Sequence, residues 1–259
     1  MNANFLKIND GKTETILFLP TKRTPIVQSG IQIRTKVVEP LNSVEYLGVT
    51  FDKFMEMEKQ INIVSRTCYY HIRRISKIRK YLDIDSAKTL IQNLVISRLD
   101  YCNSLLINLP KRLTQKLQKV QNHCARLIFR KKRRTRTTPL LKDLHWLPLQ
   151  YRIKFKVLLL TFKCLNGLAP SYLSSMVTVY RPPRTLRSNT ALMGTLITRR
   201  FKKCKHGGRW FAAAAPKLWN LIPRDIRTVS SVNEFKVKLK TYFFNDYFNR
   251  NTNQPEIFT

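Results

Sequence analysis

Phe54-Met-Glu-Met-Glu-Lys-Gln-Ile-Asn-Ile-Val-Ser-Arg-Thr-Cys-Tyr-Tyr-His-Ile-Arg-Arg-Ile-Ser-Lys-Ile-Arg-Lys80 decides the fold class of this chain. Phe54, Met57, Ile61, Val64, Cys68, Ile72, Ile75 and Ile78 recur at steps of three and four, which puts them on one stripe of a helix. Arg66, Arg73, Arg74, Lys77 and Lys80 supply much of the surface between them, so the spacing predicts one long basic amphipathic helix starting at Lys53. A second helical pattern runs from Ser86 to about Leu106 through Ala87, Leu90, Leu94 and Val95. A third runs from Lys111 to Phe129 through Leu113, Leu117, Val120, Cys124, Leu127 and Ile128, with Pro110 as the break between them. Asp83 and Asp85, the one close Asp pair, stand just before the second pattern and read as helix caps.

Downstream, Arg130-Lys-Lys-Arg-Arg134 with Arg136 is the densest charge in the chain. It falls between a helix and the Thr137-Thr-Pro-Leu-Leu141 helix start, where a connecting loop reaches phosphates; the same residues also read as a nuclear-import signal. His145-Trp-Leu-Pro148 predicts a tight turn, with Trp146 a core anchor and His145 a turn residue. A helix then runs from about Gln150 to Leu165 and ends at Gly167. Pro170 to Tyr180 reads as a further short helix, and residues 181 to 209 as an extended basic loop. Trp210 and Trp219 read as core residues, with base stacking as the alternative. Ser231-Val-Asn-Glu234 has the form of a capping box before a closing helix with Phe235, Leu239, Tyr242 and Phe243.

Upstream of Lys53 the period is different. Thr15-Ile-Leu-Phe-Leu19, Ile31-Gln-Ile-Arg-Thr-Lys-Val37 and Val44-Glu-Tyr-Leu-Gly-Val49 are short and β-rich, separated by Pro20, Pro25, Gly30 and Pro40. The expected fold is therefore mainly α with a small β remnant at the N-terminus. Strands occupy 1–52, a helical bundle with its basic loop 53–136, a helical basic domain 137–248 and a disordered tail 249–259.

Lys and Arg total 48 against 15 acids, a formal charge of +33, while 43% hydrophobic residues suffice for a sizeable core. Such an excess of positive charge calls for a polyanion, with nucleic acid ahead of an anionic membrane. The longest strongly apolar run, Val157 to Phe162, is far below the ~20 residues of a spanning helix. Without a secretory signal pattern at Met1, an intracellular protein of the nucleus or cytoplasm is expected. Cys68, Cys102, Cys124, Cys164 and Cys204 are widely spaced and form no Cys-x-x-Cys pair, so reduced thiols and no metal are expected.

Several blocks, in one order, resemble non-LTR (LINE-type, Jockey-like) retrotransposon reverse transcriptases. They begin with Asn4-Phe-Leu-Lys-Ile-Asn9, Lys12-Thr-Glu14 and Val44-Glu-Tyr-Leu-Gly-Val49. Leu99-Asp-Tyr-Cys-Asn-Ser-Leu105, Leu117-Gln-Lys-Val-Gln-Asn122, Ala125-Arg-Leu-Ile128 and Leu144-His-Trp-Leu-Pro148 follow. Leu186-Arg-Ser188, Ala213-Ala-Ala-Pro-Lys-Leu-Trp-Asn220 and Phe235-Lys-Val-Lys-Leu-Lys-Thr241 complete the series. The resemblance runs from roughly Asn4 to Phe248 and enters the palm downstream of the catalytic aspartates.

What the resemblance implies is specific. The three-helix segment corresponds to the thumb, which lies along template–primer duplex. Tyr46, Leu47 and Gly48 resemble the primer grip, and Lys7 and Lys12 the palm segment near the triphosphate. Two-metal nucleotidyl transfer needs carboxylates that hold Mg²⁺, in this family on an early palm strand and in a Tyr/Phe-x-Asp-Asp hairpin; no Asp-Asp pair occurs here. The expectation is thus a catalytically incomplete chain with no catalytic residues, no metal and no cofactor of its own. It binds an RNA or DNA duplex or hybrid through phosphates, using Arg73, Arg74, Lys77, Arg130, Lys131, Lys132, Arg133, Arg134 and Arg136. Two alternatives are the thumb half of a longer active polymerase, partnered by the missing catalytic part, and a translated relic of a mobile element.

Overall fold

The computed structural model describes residues 9–19, 30–33, 36–181, 194–199 and 208–249. The described residues are mainly helical with a few short strands, all upstream of residue 53. Two compact units result, Met1–Val64 and Ser65–Thr259, and the helical segments on either side of residue 136 share the second. The sequence places its boundaries instead at residues 52 and 136.

In the first unit, strand β1 (Thr15–Ile16) pairs in parallel with β4 (Pro40–Leu41), and β2 (Ile31–Ile33) pairs antiparallel with β3 (Lys36–Val38). The expected single strand from Ile31 to Val37 is therefore a small hairpin. A second hairpin joins β5 (Ser43–Tyr46) to β6 (Val49–Asp52), with Tyr46 opposite Val49. Leu47 and Gly48 form its two-residue turn, both at positive φ (49° and 75°), as a type I′ turn requires. Apolar side chains such as Phe18, Ile31, Val37 and Leu41 remain exposed on these short ribbons.

Helix α1 spans Glu58–Ile78, starting later than the apolar stripe suggests. Asp52 sets the start. One carboxylate oxygen accepts the amides of Phe54 (3.1 Å) and Glu56 (2.9 Å), and the other accepts that of Met57 (2.7 Å). Met55 and Met57 are thereby held in left-handed conformations, with φ of 53° and 60°. The stripe also ends early. Ile78 is exposed, and the buried side chain at the end of the helix is Arg79.

The second expected helix is interrupted. Helix α2 (Ile84–Ile91) starts at Asp83, whose carboxylate accepts the Ser86 amide at 3.2 Å, as the capping reading requires. A π-helical turn follows over Gln92–Ile96, then α3 (Ser97–Asp100). The extra residue per turn moves the apolar face, so Leu94 is at the surface while Val95, Ile96 and Leu99 are buried. The helix stops at Cys102, which is left-handed (φ 50°), and a 3₁₀ turn covers Asn103–Leu106.

Helix α4 (Lys111–Ile128) buries Leu113, Leu117, Val120, Cys124 and Ile128. Its amides then organise the turn that follows α5 (Thr138–Asp143). Gln121, fully buried, donates to the Leu147 carbonyl (2.9 Å); Gln118 accepts the Leu149 amide (2.8 Å) and donates to Gln121 (2.9 Å). Helix α6 (Leu149–Leu165) is thus hung from α4, and its Arg152 pairs with Asp100 at the end of α3 through two contacts, Nε at 2.8 Å and Nη2. Gln118, Gln121 and Asp100 are therefore ties between helices.

The expected helix over 170–180 is only α7 (Ser171–Ser174), because Val179 forms a β-bridge with Leu196. Helix α8 (Phe211–Leu221) carries Trp219, buried, with its indole N–H donated to the Gly194 carbonyl at 2.7 Å. Its neighbour Asn220 brackets Leu196, accepting its amide and donating to its carbonyl, each at 2.8 Å. Trp210 is exposed, contrary to the core reading. A short helix, α9 (Arg224–Arg227), leads to α10 (Val232–Phe248), whose Phe235 stacks on Phe162 at 4.3 Å. The Ser231 side chain makes no cap bond, so the capping box is not formed; Glu234 pairs with Lys238 at 2.8 Å. Most of 181–209 and all of 250–259 lie outside the described residues.

Replacing Gln121 with Ala strands the Leu147 carbonyl in the interior and removes one of the two acceptors of the Gln118 amide, which keeps Asn122. A loss of about 2 kcal/mol is expected, seen as a fall in Tm of about 4–8 °C.

Candidate nucleic-acid interface

Lys119, His123 and Arg126 are spaced at four and three residues and share one face of α4. Together with Tyr69 and Ser76 of α1, with Arg79, and with Arg130, Lys131 and Arg133 after α4, they line a cleft of about 760 Å³. Six of these side chains are cationic, and none of the described lining residues is acidic. The cleft lies entirely within the second unit.

Its floor is set by two guanidiniums bound to backbone carbonyls. Arg79, 5% exposed, donates to Leu127 (3.0 Å), Leu82 (2.6 Å) and Ile128. Arg130 donates back to the carbonyls of Arg79 (3.0 Å), Lys80 (3.1 Å) and Leu82 (3.1 Å). The orphan carbonyls at the C-terminal ends of α1 and α4 are thus satisfied by cations, which the negative ends of both helix dipoles favour. Burial and then Arg130 lower the Arg79 pKa, yet a guanidinium stays charged at any ordinary pH.

Arg130 is also the backbone pivot of the basic loop. It is left-handed, φ 50°, with its amide donated to Leu127 (3.3 Å) and that of Lys131 to Arg126 (2.9 Å), the two bonds of a Schellman cap. Arg126 in turn donates to the Thr135 carbonyl at 3.0 Å and holds the far side of the loop. The loop is therefore folded back on α4, with Lys131, Lys132, Arg133, Arg134 and Arg136 exposed.

Not every expected contact residue joins the cleft. Arg73, Arg74 and Lys77 are exposed on α1, where Arg74 lies over the Tyr70 ring at 5.6 Å and donates to its hydroxyl at 3.1 Å. Arg130 is committed largely to backbone carbonyls. Tyr46, Leu47 and Gly48 form the exposed hairpin tip of the first unit, and Lys12 is exposed in a 3₁₀ turn over Asp10–Lys12. Lys7 lies outside the described residues. The sequence reading missed Tyr69, Arg79, Lys119, His123 and Arg126. A search for polar side chains at helical spacing, alongside apolar ones, finds the stripe on α4.

The rings of Tyr69 and His123 meet edge to face, centroids 5.8 Å apart. Burial, then Arg126 and Arg133, lower the His123 pKa, so the imidazole is neutral near pH 7. Beneath, burial pushes the Cys68 thiol up to about 11 and that of Cys124 higher still, which leaves both unreactive. No group of three or more His, Cys, Asp or Glu among the described residues could hold a metal ion. No described helix is long and apolar enough to cross a membrane.

Replacing Arg79 with Met should cost about 2–3 kcal/mol by urea unfolding, since three carbonyls lose a charged donor. Arg133→Gln, at the exposed rim, should stay within about 0.5 kcal/mol of the parent.

Compared with protein-family models, with curated proteins and with solved structures, the chain matches none.

Proposed function

We propose that this chain binds nucleic acid through phosphate contacts, as the thumb-like and C-terminal part of a LINE-type reverse transcriptase without catalytic residues of its own. The single observation that carries the reading is the cleft, where six cationic side chains converge with no acidic lining residue among those described. A surface that only solvates a helix intersperses acids with its bases, and a chain of +33 needs counter-charge. Contacts of this kind track the backbone and read little sequence.

The exposed Tyr46-Leu47-Gly48 turn supports a second reading, in which the chain works within a longer polymerase. There the hairpin tip would touch a primer strand and Lys12 the palm region near the triphosphate, with Mg²⁺ held by carboxylates outside this sequence. Nucleus and cytoplasm both fit this role.

Titrating the protein into a labelled RNA–DNA hybrid across a salt series tests the proposal. With Arg79 buried and Arg130 bound to backbone carbonyls, phosphate contacts by the four remaining cleft cations predict a log–log slope near roughly −3.5. Changing Lys131 and Arg133 together to Gln should shallow that slope by about 2. Binding that ignores salt, or no binding by folded protein, would overturn it.

A further inference from the structure

The cleft is smaller than the body of a duplex. Its volume of about 760 Å³ lies in the range of small-molecule sites, roughly 300–1,000 Å³, which admits a nucleotide or two, while a double helix can present only backbone phosphates to its rim. It also contains something a phosphate site does not need, the edge-to-face corner of Tyr69 and His123. Three cations surround that corner: Lys119 one turn before His123 on α4, and Arg126 and Arg133 beyond it. The His123 imidazole is neutral near pH 7, so its ring adds a π-face without further charge. Cations that follow a backbone, beside aromatic rings that take bases, are the two components of single-strand recognition.

Building on the nucleic-acid reading above, we propose that the cleft is a single-strand subsite: it takes an unpaired nucleotide beside a duplex, its base against Tyr69 and His123 and its flanking phosphates on Lys119, Arg126 and Arg133. The duplex itself stays outside, on the exposed cations of α1 and of the loop.

The test compares three labelled RNA–DNA hybrids at one salt concentration, using the whole chain. One is blunt, one has a short single-stranded DNA overhang, and one has an abasic overhang with the same number of phosphates. The base-containing overhang should bind about tenfold more tightly than the abasic one, the effect of a single base–aromatic stack. In the variant combining Tyr69→Leu with His123→Leu, that ratio should fall to about one, with circular dichroism as the check on folding. The hybrid comparison needs no substitution and stands even if the variant misfolds. Equal binding of the two overhangs would overturn the subsite and leave phosphate binding intact. No binding of any hybrid would overturn both readings together.

Discussion

Two arginines that face each other across backbone carbonyls set the geometry of the helical unit. Arg79 reaches the Leu127 and Ile128 carbonyls at the end of α4, and Arg130 reaches those of Arg79, Lys80 and Leu82 just after α1. Like charges at close quarters repel, and the carbonyls of Leu127, Ile128, Arg79, Lys80 and Leu82, at the negative ends of the two helices, offset that repulsion. Among the described residues no carboxylate is hydrogen-bonded to either guanidinium, so their positive charge stays at the floor of the cleft. Structure and electrostatics therefore come from the same side chains at Arg79, whereas the exposed rim cations supply charge without holding the fold.

A second layer of order comes from neutral amides. Gln121 and Asn220 hold backbone outside the helices, Gln118 holds the first amide of α6, and each is placed by a helix whose apolar face is already packed. A buried amide is tolerated when its donors and acceptors are used, and these are. They explain, without any ligand, why polar residues sit in the middle of otherwise apolar helical segments.

The mainly α architecture was legible because apolar spacing survives in every long helix, and Asp83 announced its cap by residue type. Helix ends were legible only in part. Helices α4, α5 and α6 stop with Arg130, His145 and Gly167 in left-handed conformations, and only the glycine signals this from the sequence. An L side chain there costs about 1–2 kcal/mol, and tertiary contacts that the sequence does not display offset it. For Arg130 those are three carbonyls; for His145, the Phe244 ring lies 5.6 Å away. The cleft was hidden for a related reason. Its residues come from two helices distant in sequence, and their common face appears only once the apolar faces have packed.

The π-turn over Gln92–Ile96 bears on chain length as well as on shape. An α-helix advances about 100° per residue, so one surplus residue rotates everything after it by that amount unless the turn widens to absorb it. The widened turn keeps Leu99 inward and Asp100 in reach of Arg152. A change of length is therefore absorbed with less rotation at such a bulge than elsewhere in the same helix, where it would turn the hydrophobic face to water.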